Sequence, residues 1–203
     1  MELNIIFSVL ILIISVVIHE ISHGYTAYLL GDPTAKLAGR LTLNPIKHVD
    51  LFGSILVPFL LALFPGGFII GWAKPVPYNP YNLKAGKWGP AIVAAAGPLS
   101  NLSLALIFSM LFRLVVTNVS LVYLAPLLLS VILINVVLAV FNLTPVAPFD
   151  GAKILSACLP ASWRRAEAFL NSNQWWLILL VILVMSSLLS PIATIITRVL
   201  TGA

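Results

Sequence analysis

Long apolar runs constrain the fold of this 203-residue chain more than any other feature. A helix needs about 20 apolar residues to cross the ~30 Å hydrocarbon core of a bilayer. Four stretches are long enough: Asn4–Leu30, Pro90–Thr117, Leu121–Asn142 and Trp175–Ile196. Because 61% of the residues are hydrophobic and only 8% are charged, the chain has too few polar side chains to cover a soluble protein's surface. We therefore predict a single integral membrane domain over residues 1–203.

A fifth apolar stretch, Leu51–Ile70, is interrupted by proline and glycine. Its continuous part, Leu51–Phe64, would be only ~21 Å long as a helix. We predict a short or re-entrant helix and an extended return through Phe68–Val76, since irregular backbone at membrane depth must be satisfied by protein or by a water-filled cavity. The predicted fold is an all-α polytopic bundle of about four to six transmembrane segments, with one short or re-entrant segment and a small extended hairpin.

The basic residues predict the orientation of this bundle. If the first helix runs inward, the loops near residues 31–50, 71–88 and 151–174 face the cytoplasm and hold nine of the eleven basic residues, as the positive-inside rule expects. We therefore predict a multi-pass protein of the cell membrane. No basic cluster with interleaved aromatic residues occurs, so we expect no nucleic-acid partner. The nine residues are Lys36, Arg40, Lys47, Lys74, Lys84, Lys87, Lys153, Arg164 and Arg165.

The first apolar stretch contains two histidines and a glutamate within five consecutive positions, in the sequence His19-Glu-Ile-Ser-His23. On a helix His19 and His23 share a face one turn apart, which suits two ligands of one metal ion. Glu20 lies close enough to move a proton on a metal-bound water. Ionisable groups in a membrane segment are costly and usually functional. We predict a metal site ~21 Å into the bilayer, nearer the cytoplasmic face; the alternative is two helix histidines bonded to their neighbours.

A third metal ligand is expected, with one position left open for water. Asp150 follows a long apolar stretch, and Pro145 and Pro148 break the preceding helix while Gly151 allows a tight turn. An aspartate held in this way can meet His19 and His23. The alternative interpretation is that Asp150 caps a helix starting at Gly151.

Together these motifs resemble the site-2 protease family of intramembrane zinc metallopeptidases, in its compact branch without PDZ or CBS domains. His19–His23 matches the family's HExxH motif, and Asn142–Gly151 matches its second motif, except that Ala147 stands where the family usually has proline. The resemblance implies one zinc ion per chain, held by His19, His23 and Asp150, and Glu20 as the catalytic base. Three further segments are similar to the family's connecting segments and to a helix start beside its active site: Gly39–Pro45, Gly71–Pro77 and Ala96–Asn101.

The activity that this resemblance implies is hydrolysis of peptide bonds within or near transmembrane helices of membrane-protein substrates. Asn142 and Asn101 are candidates to bind the substrate backbone or a developing oxyanion, although buried asparagines also link membrane helices, and Asn135 fits that second role. The extended run Phe68–Pro77 is a candidate edge for pairing with a locally unwound substrate.

Two alternatives remain open at the level of sequence. A membrane metallopeptidase with glutamate as third ligand would need Glu167, which lies beside Arg164 and Arg165 in a polar loop. A non-proteolytic zinc-binding transporter or inactive scaffold would also carry intramembrane His and Asp residues. Glu20 discriminates against this second alternative, because a transporter needs no general base beside a ligand. We expect the loop histidine His48 to be structural, and the sequence specifies no oligomeric state.

Overall fold

The computed structural model describes residues 2–57, 71–163, 168–170, 172–173, 176–177 and 191–202. These residues form helices joined by turns and extended segments, and no β-strand occurs among them. The all-helical prediction is therefore confirmed. The helices are α1 (Glu2–Leu29), α2 (Thr34–Leu37), α3 (Gly89–Val116), α4 (Ala125–Asn142), α5 (Asp150–Cys158) and α6 (Pro191–Thr201). Leu51–Leu56 forms a π-helical turn, and 3₁₀ turns occur at Pro45–His48, Pro80–Asn82, Gly86–Trp88, Val122–Leu124 and Ala161–Trp163.

Three helical segments are long and apolar enough to cross a membrane: Ile6–Leu29, Gly86–Val116 and Val122–Asn142. They correspond to the first three predicted apolar stretches. Most of the fourth stretch and residues 58–70 of the interrupted stretch lie outside the described residues. The number of spans, the re-entrant helix and the small hairpin therefore stay predictions.

Helix α3 lies at the centre of this arrangement and packs against α1, α4 and α5. Where α3, α4 and α6 meet, the core contains the fully buried side chains of Ala105, Ile132, Val136 and Ala193. Small residues such as these alanines let helix backbones approach closely, which is how helices associate in lipid. The centrality of α3 gives it contact with every helix that carries a predicted site residue.

A buried carboxylate fixes the exit from α1. Asp32 has no exposed surface and accepts hydrogen bonds from Thr34 Oγ1 at 2.6 Å, from the Asn79 backbone N–H at 2.6 Å and from Asn82 Nδ2 at 2.8 Å. Burial alone would raise the pKa of Asp32, but these hydrogen bonds hold it below its ordinary value. The turn before it requires glycine, since Gly31 has a φ of +106°. Asp32 thus ties the end of α1 to the chain that leads into α3.

Residues 71–79, which we call the extended segment, run back beside α1 without forming helix or strand. The Lys74 N–H donates to the His48 carbonyl at 2.9 Å, and the Lys74 carbonyl accepts from Arg40 Nη2 at 2.7 Å. His48 itself is buried and donates from Nε2 to the Thr42 carbonyl at 2.9 Å, which fits the structural role expected for it. These contacts hold the extended segment over the polar face of α1.

Candidate active site

The two histidines of α1 point toward α3, and Gly97 of α3 makes room for them. His19 and His23 are 6% and 9% exposed, and their Nε2 atoms are 3.0 Å apart. A Cβ atom at position 97 would lie 2.5 Å from the Nε2 atoms of both rings. Because real Cβ atoms do not approach this closely, a glycine is required for both imidazoles to rest against α3.

Asp150 reaches the same point from the other end of the chain. Helix α4 ends at Asn142, the chain reverses, and α5 begins at Asp150 itself. A Cβ at Gly151 would lie 2.2 Å from the Leu143 carbonyl oxygen, so this glycine permits the close return onto α4. Asp150 Oδ2 lies 3.2 Å from His19 Nε2 and 3.1 Å from His23 Nε2. Residues 19, 23 and 150, far apart in sequence, thus meet in a single triangle.

The outward ring nitrogens indicate what the triangle can bind. His23 Nδ1 lies 2.7 Å from the Val93 carbonyl oxygen, which can only accept, so Nδ1 carries a proton and, in the neutral imidazole, Nε2 carries a lone pair. His19 Nδ1 lies 2.5 Å from Asn101 Oδ1, another acceptor. Two imidazole lone pairs and a carboxylate oxygen therefore converge at 3.0–3.2 Å. A cation between three acceptors at this spacing would stabilise them.

Zinc fits this donor set. With Zn–ligand bonds of about 2.0–2.1 Å, two ligands of a tetrahedral site are about 3.3 Å apart. The three observed separations of 3.0–3.2 Å are close to that value. Among the residues that the structure describes, His19, His23 and Asp150 are the one group of three that offers such ligand atoms.

Glu20 lies beside the triangle and is held by the extended segment. Its Oε2 accepts the Val76 backbone N–H at 2.8 Å. A cavity of about 140 Å³ opens here, and since one water needs roughly 10–15 Å³ measured in this way, it has room for several. The polar side chains that line it are those of His19, Glu20, His23, Tyr78, Asn142, Asp150 and Lys153. A carboxylate, a candidate metal site and space for water thus adjoin one another.

Sequence comparison agrees with this geometry over most of the chain. The profile described as "Peptidase family M50" matches residues 7–120 and 114–186. The chain belongs to peptidase family M50. It is therefore a zinc metallopeptidase of the site-2 protease type, and its apolar helices make it a membrane protein.

Two relatives of this M50 peptidase carry similar names. "Putative zinc metalloprotease YwhC" of Bacillus subtilis (strain 168) is 41% identical over 175 residues, which cover 80% of this chain and 75% of the relative. "Putative zinc metalloprotease Rip2" of Mycolicibacterium smegmatis is 30% identical over 178 residues, which cover 88% of this chain and 66% of the relative. No solved structure matches the chain.

The asparagines of the M50 peptidase occupy two different places. Asn142 lines the cavity at the end of α4, where its Nδ2 donates to the Leu138 carbonyl at 2.9 Å. Asn101 is fully buried behind His19 and is not among the residues that line the cavity. Asn135 is also fully buried and accepts from Asn101 Nδ2 at 2.9 Å. Of the two predicted substrate-binding residues, only Asn142 adjoins the space that a substrate would enter.

Three features of the site were not predicted from the sequence. Gly97 was noted only as part of a family segment, and the backbone donor of Val76 has no side-chain signature. Lys153 Nζ lies 3.8 Å from Asp150 Oδ1 and 5.6 Å from the centre of the Tyr78 ring. Its spacing of three residues from Asp150 on one helix was a usable signal, because such residues are neighbours on the surface of a helix. The rival ligand Glu167 lies outside the described residues.

Proposed function

We propose that this M50 peptidase cleaves peptide bonds within or near transmembrane helices of membrane-protein substrates, with His19, His23 and Asp150 holding one zinc ion and Glu20 acting as base. The proposal takes residues 1–203 as one intramembrane domain. One observation carries it: two imidazole lone pairs and a carboxylate oxygen converge at 3.0–3.2 Å beside a second carboxylate, in a cavity with room for water.

In this proposal Glu20 transfers the proton. Zinc, when bound, would supply Lewis acidity and a nucleophile at neutral pH. Glu20 would take the proton released by the attacking water and then deliver it to the leaving amine. Since Oε2 is engaged by the Val76 N–H at 2.8 Å, we assign the proton to the other carboxylate oxygen. The backbone donor thereby fixes the direction in which the base acts.

Asn142 is our candidate for binding the substrate backbone. It adjoins the cavity, and a carboxamide offers two donors and an acceptor, of which one donor is engaged by the Leu138 carbonyl. We assign Asn101 to His19 instead of to the substrate, because it is fully buried on the far side of the imidazole.

Backbone contacts limit which residues of the extended run Phe68–Pro77 could pair with a substrate strand. The Lys74 and Val76 N–H groups already donate to His48 and Glu20, and Pro75 and Pro77 have no N–H. Trp72 also donates its N–H to the Gly53 carbonyl at 3.1 Å, and its carbonyl accepts from Ser54 Oγ at 2.8 Å. We therefore assign any pairing to residues 68–71 and 73, of which 68–70, including Ile69 and Ile70, lie outside the described residues. Proline at Ile69 or Ile70 should impair cleavage and leave zinc binding intact; unchanged cleavage would contradict this part of the proposal.

The orientation follows from the basic loops. We propose a multi-pass topology in which the site lies within the bilayer nearer the cytoplasmic face, where Lys36, Arg40 and Lys74 flank the polar end of α1. Labelling of single cysteines placed in the loops tests this proposal, with Cys158 first replaced. Labelling of positions near residue 84 from the outer face would contradict it.

The decisive experiment compares the wild type with Glu20→Gln on a panel of transmembrane substrates in reconstituted vesicles. The amide keeps the size of the side chain and leaves the three proposed ligands untouched, so both proteins should bind one zinc ion. Cleavage by the wild type alone supports the proposal, and equal cleavage by both overturns the assignment of Glu20. If neither protein cuts any substrate while both bind zinc, the result favours the non-proteolytic alternative.

A further inference from the structure

A chain of polar side chains runs from the candidate metal site into the apolar interior of the bundle. Asn101 and Asn135 have no exposed surface, and Ser15 is 3% exposed. The three residues belong to three different helices, α3, α4 and α1. Because an unpaired polar group in such surroundings is costly, an unbroken set of hydrogen bonds is needed. The structure provides one.

The hydrogen bonds of this set of side chains run in one direction, which is fixed by backbone carbonyls that can only accept. Asn135 Nδ2 donates to the Val131 carbonyl at 2.9 Å and to Ser15 Oγ at 3.0 Å. A carbonyl can only accept, so the nitrogen of the Asn135 amide must face this side and its Oδ1 must face Asn101. Both hydrogens of the Asn135 amide are then used.

The same reasoning fixes the next amide. Asn101 Nδ2 donates to Asn135 Oδ1 at 2.9 Å, and it lies 3.5 Å from the Ser15 carbonyl. Asn101 therefore turns its Oδ1 toward His19, at 2.5 Å from Nδ1. An amide oxygen there requires the proton to be on Nδ1 of His19. The remaining nitrogen, Nε2, is left with its lone pair facing His23 and Asp150.

We propose that Ser15, Asn101 and Asn135 are positioning residues that hold His19 in the tautomer with the proton on Nδ1, so that Nε2 is the nitrogen available to a metal. This rests on the proposed function for the role of His19 as a ligand. Partners of ligating histidines set the ring's tautomer and orientation, and their loss typically lowers metal affinity about 10–100-fold. Here Asn135 and Ser15 influence the His19 tautomer through Asn101, without contacting His19 or lining the cavity themselves.

The test uses Asn135→Leu and Ser15→Ala, with Ser109→Ala as matched control. Ser109 is equally buried on α3 but donates only to the Leu106 carbonyl of its own helix. Zinc affinity is measured by chelator competition, and ring tautomers by nitrogen NMR of metal-free protein labelled at histidine, at alkaline pH. With only three histidines the spectrum is simple. The wild type should show the Nδ1–H tautomer for His19 and His23, and Nε2–H for His48.

We expect Asn135→Leu to mix the tautomers of His19 and to weaken zinc binding about tenfold, the lower end of the usual range for residues that support ligands. Ser15→Ala should have a smaller effect in the same direction, and it decides the matter if Asn135→Leu does not fold. Ser109→Ala should change neither quantity. Weaker zinc binding with an unchanged His19 tautomer would overturn the proposal, as would no change in either. If the wild type binds no zinc, the proposed metal site fails, while the tautomer populations still test the hydrogen-bonded chain.

Discussion

Gly97→Ala is expected to weaken zinc binding strongly while leaving the helices folded, because the added methyl group enters the space of both imidazoles. The ideal Cβ at position 97 lies 2.5 Å from His19 Nε2, and from Cε1 and Nε2 of His23. Neither ring is a loose chain end, since His19 is bonded to Asn101 and His23 to the Val93 carbonyl. The collision therefore has to move the two imidazole rings or the helix.

The size of the displacement decides the outcome. Ordinary contact for a Cβ begins near 3.4 Å, so the rings or α3 must move by about 0.9 Å. Metal–ligand distances tolerate only about 0.2 Å, and a misplacement of about 1 Å in a catalytic group costs on the order of 100-fold in rate. Apart from this contact the substitution would favour α3, because alanine is better than glycine in a helix by about 1 kcal/mol. Loss of zinc binding without loss of helix content is thus a specific signature.

The assay compares Gly97→Ala with Leu99→Ala, a truncation two residues along the same helix at a position that is 58% exposed. Circular dichroism reports helix content, chelator competition reports zinc affinity, and cleavage of a model substrate reports activity. We expect a fall of at least about 100-fold in zinc affinity for Gly97→Ala and wild-type binding for Leu99→Ala. Wild-type zinc affinity in Gly97→Ala would refute the placement of the two imidazoles against α3.

Two further predictions concern the hydrogen bonds around the site. Val76→Pro removes the N–H that holds Glu20, so it should lower kcat about tenfold with zinc affinity unchanged, an effect typical of supporting residues. The control Val76→Ala keeps the N–H and should retain the wild-type rate. Equal rates for Val76→Pro and Val76→Ala would count against this role of Val76. Because the folded-state pKa of Asp32 lies below its ordinary 3.8, its contribution to stability is present above that pH and is lost as the pH falls through the lower value. Asp32→Asn should therefore lower the unfolding temperature at pH 7 and approach the wild type in acid, and a difference that grows on acidification would contradict this.

The sequence predicted the membrane helices and the main elements of the site because each depends on local pattern. Apolar runs of more than 20 residues predicted α1, α3 and α4, although Glu20 lies inside the first run and Arg113 inside the second. The spacing of His19 and His23 is a property of any helix, so their shared face needed no tertiary information. Asp150 required more: the Pro and Gly residues around it indicated a sharp return, and few other acidic residues were available. That Asp150 contacts both histidines is seen only in the three-dimensional structure.

The functions of Asn101 and Val76 depend on tertiary contacts that no local pattern encodes. An asparagine in a membrane helix is equally suited to a substrate, a neighbouring helix or a ligand, and only the packing of α3 on α1 distinguishes these roles. The Glu20 partner is a backbone N–H, which every residue except proline carries. The position of the extended segment over Glu20 is set by Arg40 and Asp32, and nothing in its own sequence identifies Val76 as the residue that contacts Glu20.

The chemistry of the candidate site can be traced to two helix stripes with the same four-residue spacing. Ser15, His19 and His23 lie on one face of α1, and on α3 the facing positions are 93, 97 and 101. The contacts follow opposite sequence directions on the two helices. The Val93 carbonyl contacts His23, Gly97 lies against both rings, and Asn101 contacts His19 and Ser15. A slip of one residue between the helices would remove all of these contacts together. The packing of α3 on α1 is therefore itself the device that aligns the histidines, and Asp150 completes a site whose orientation these two helices have already determined.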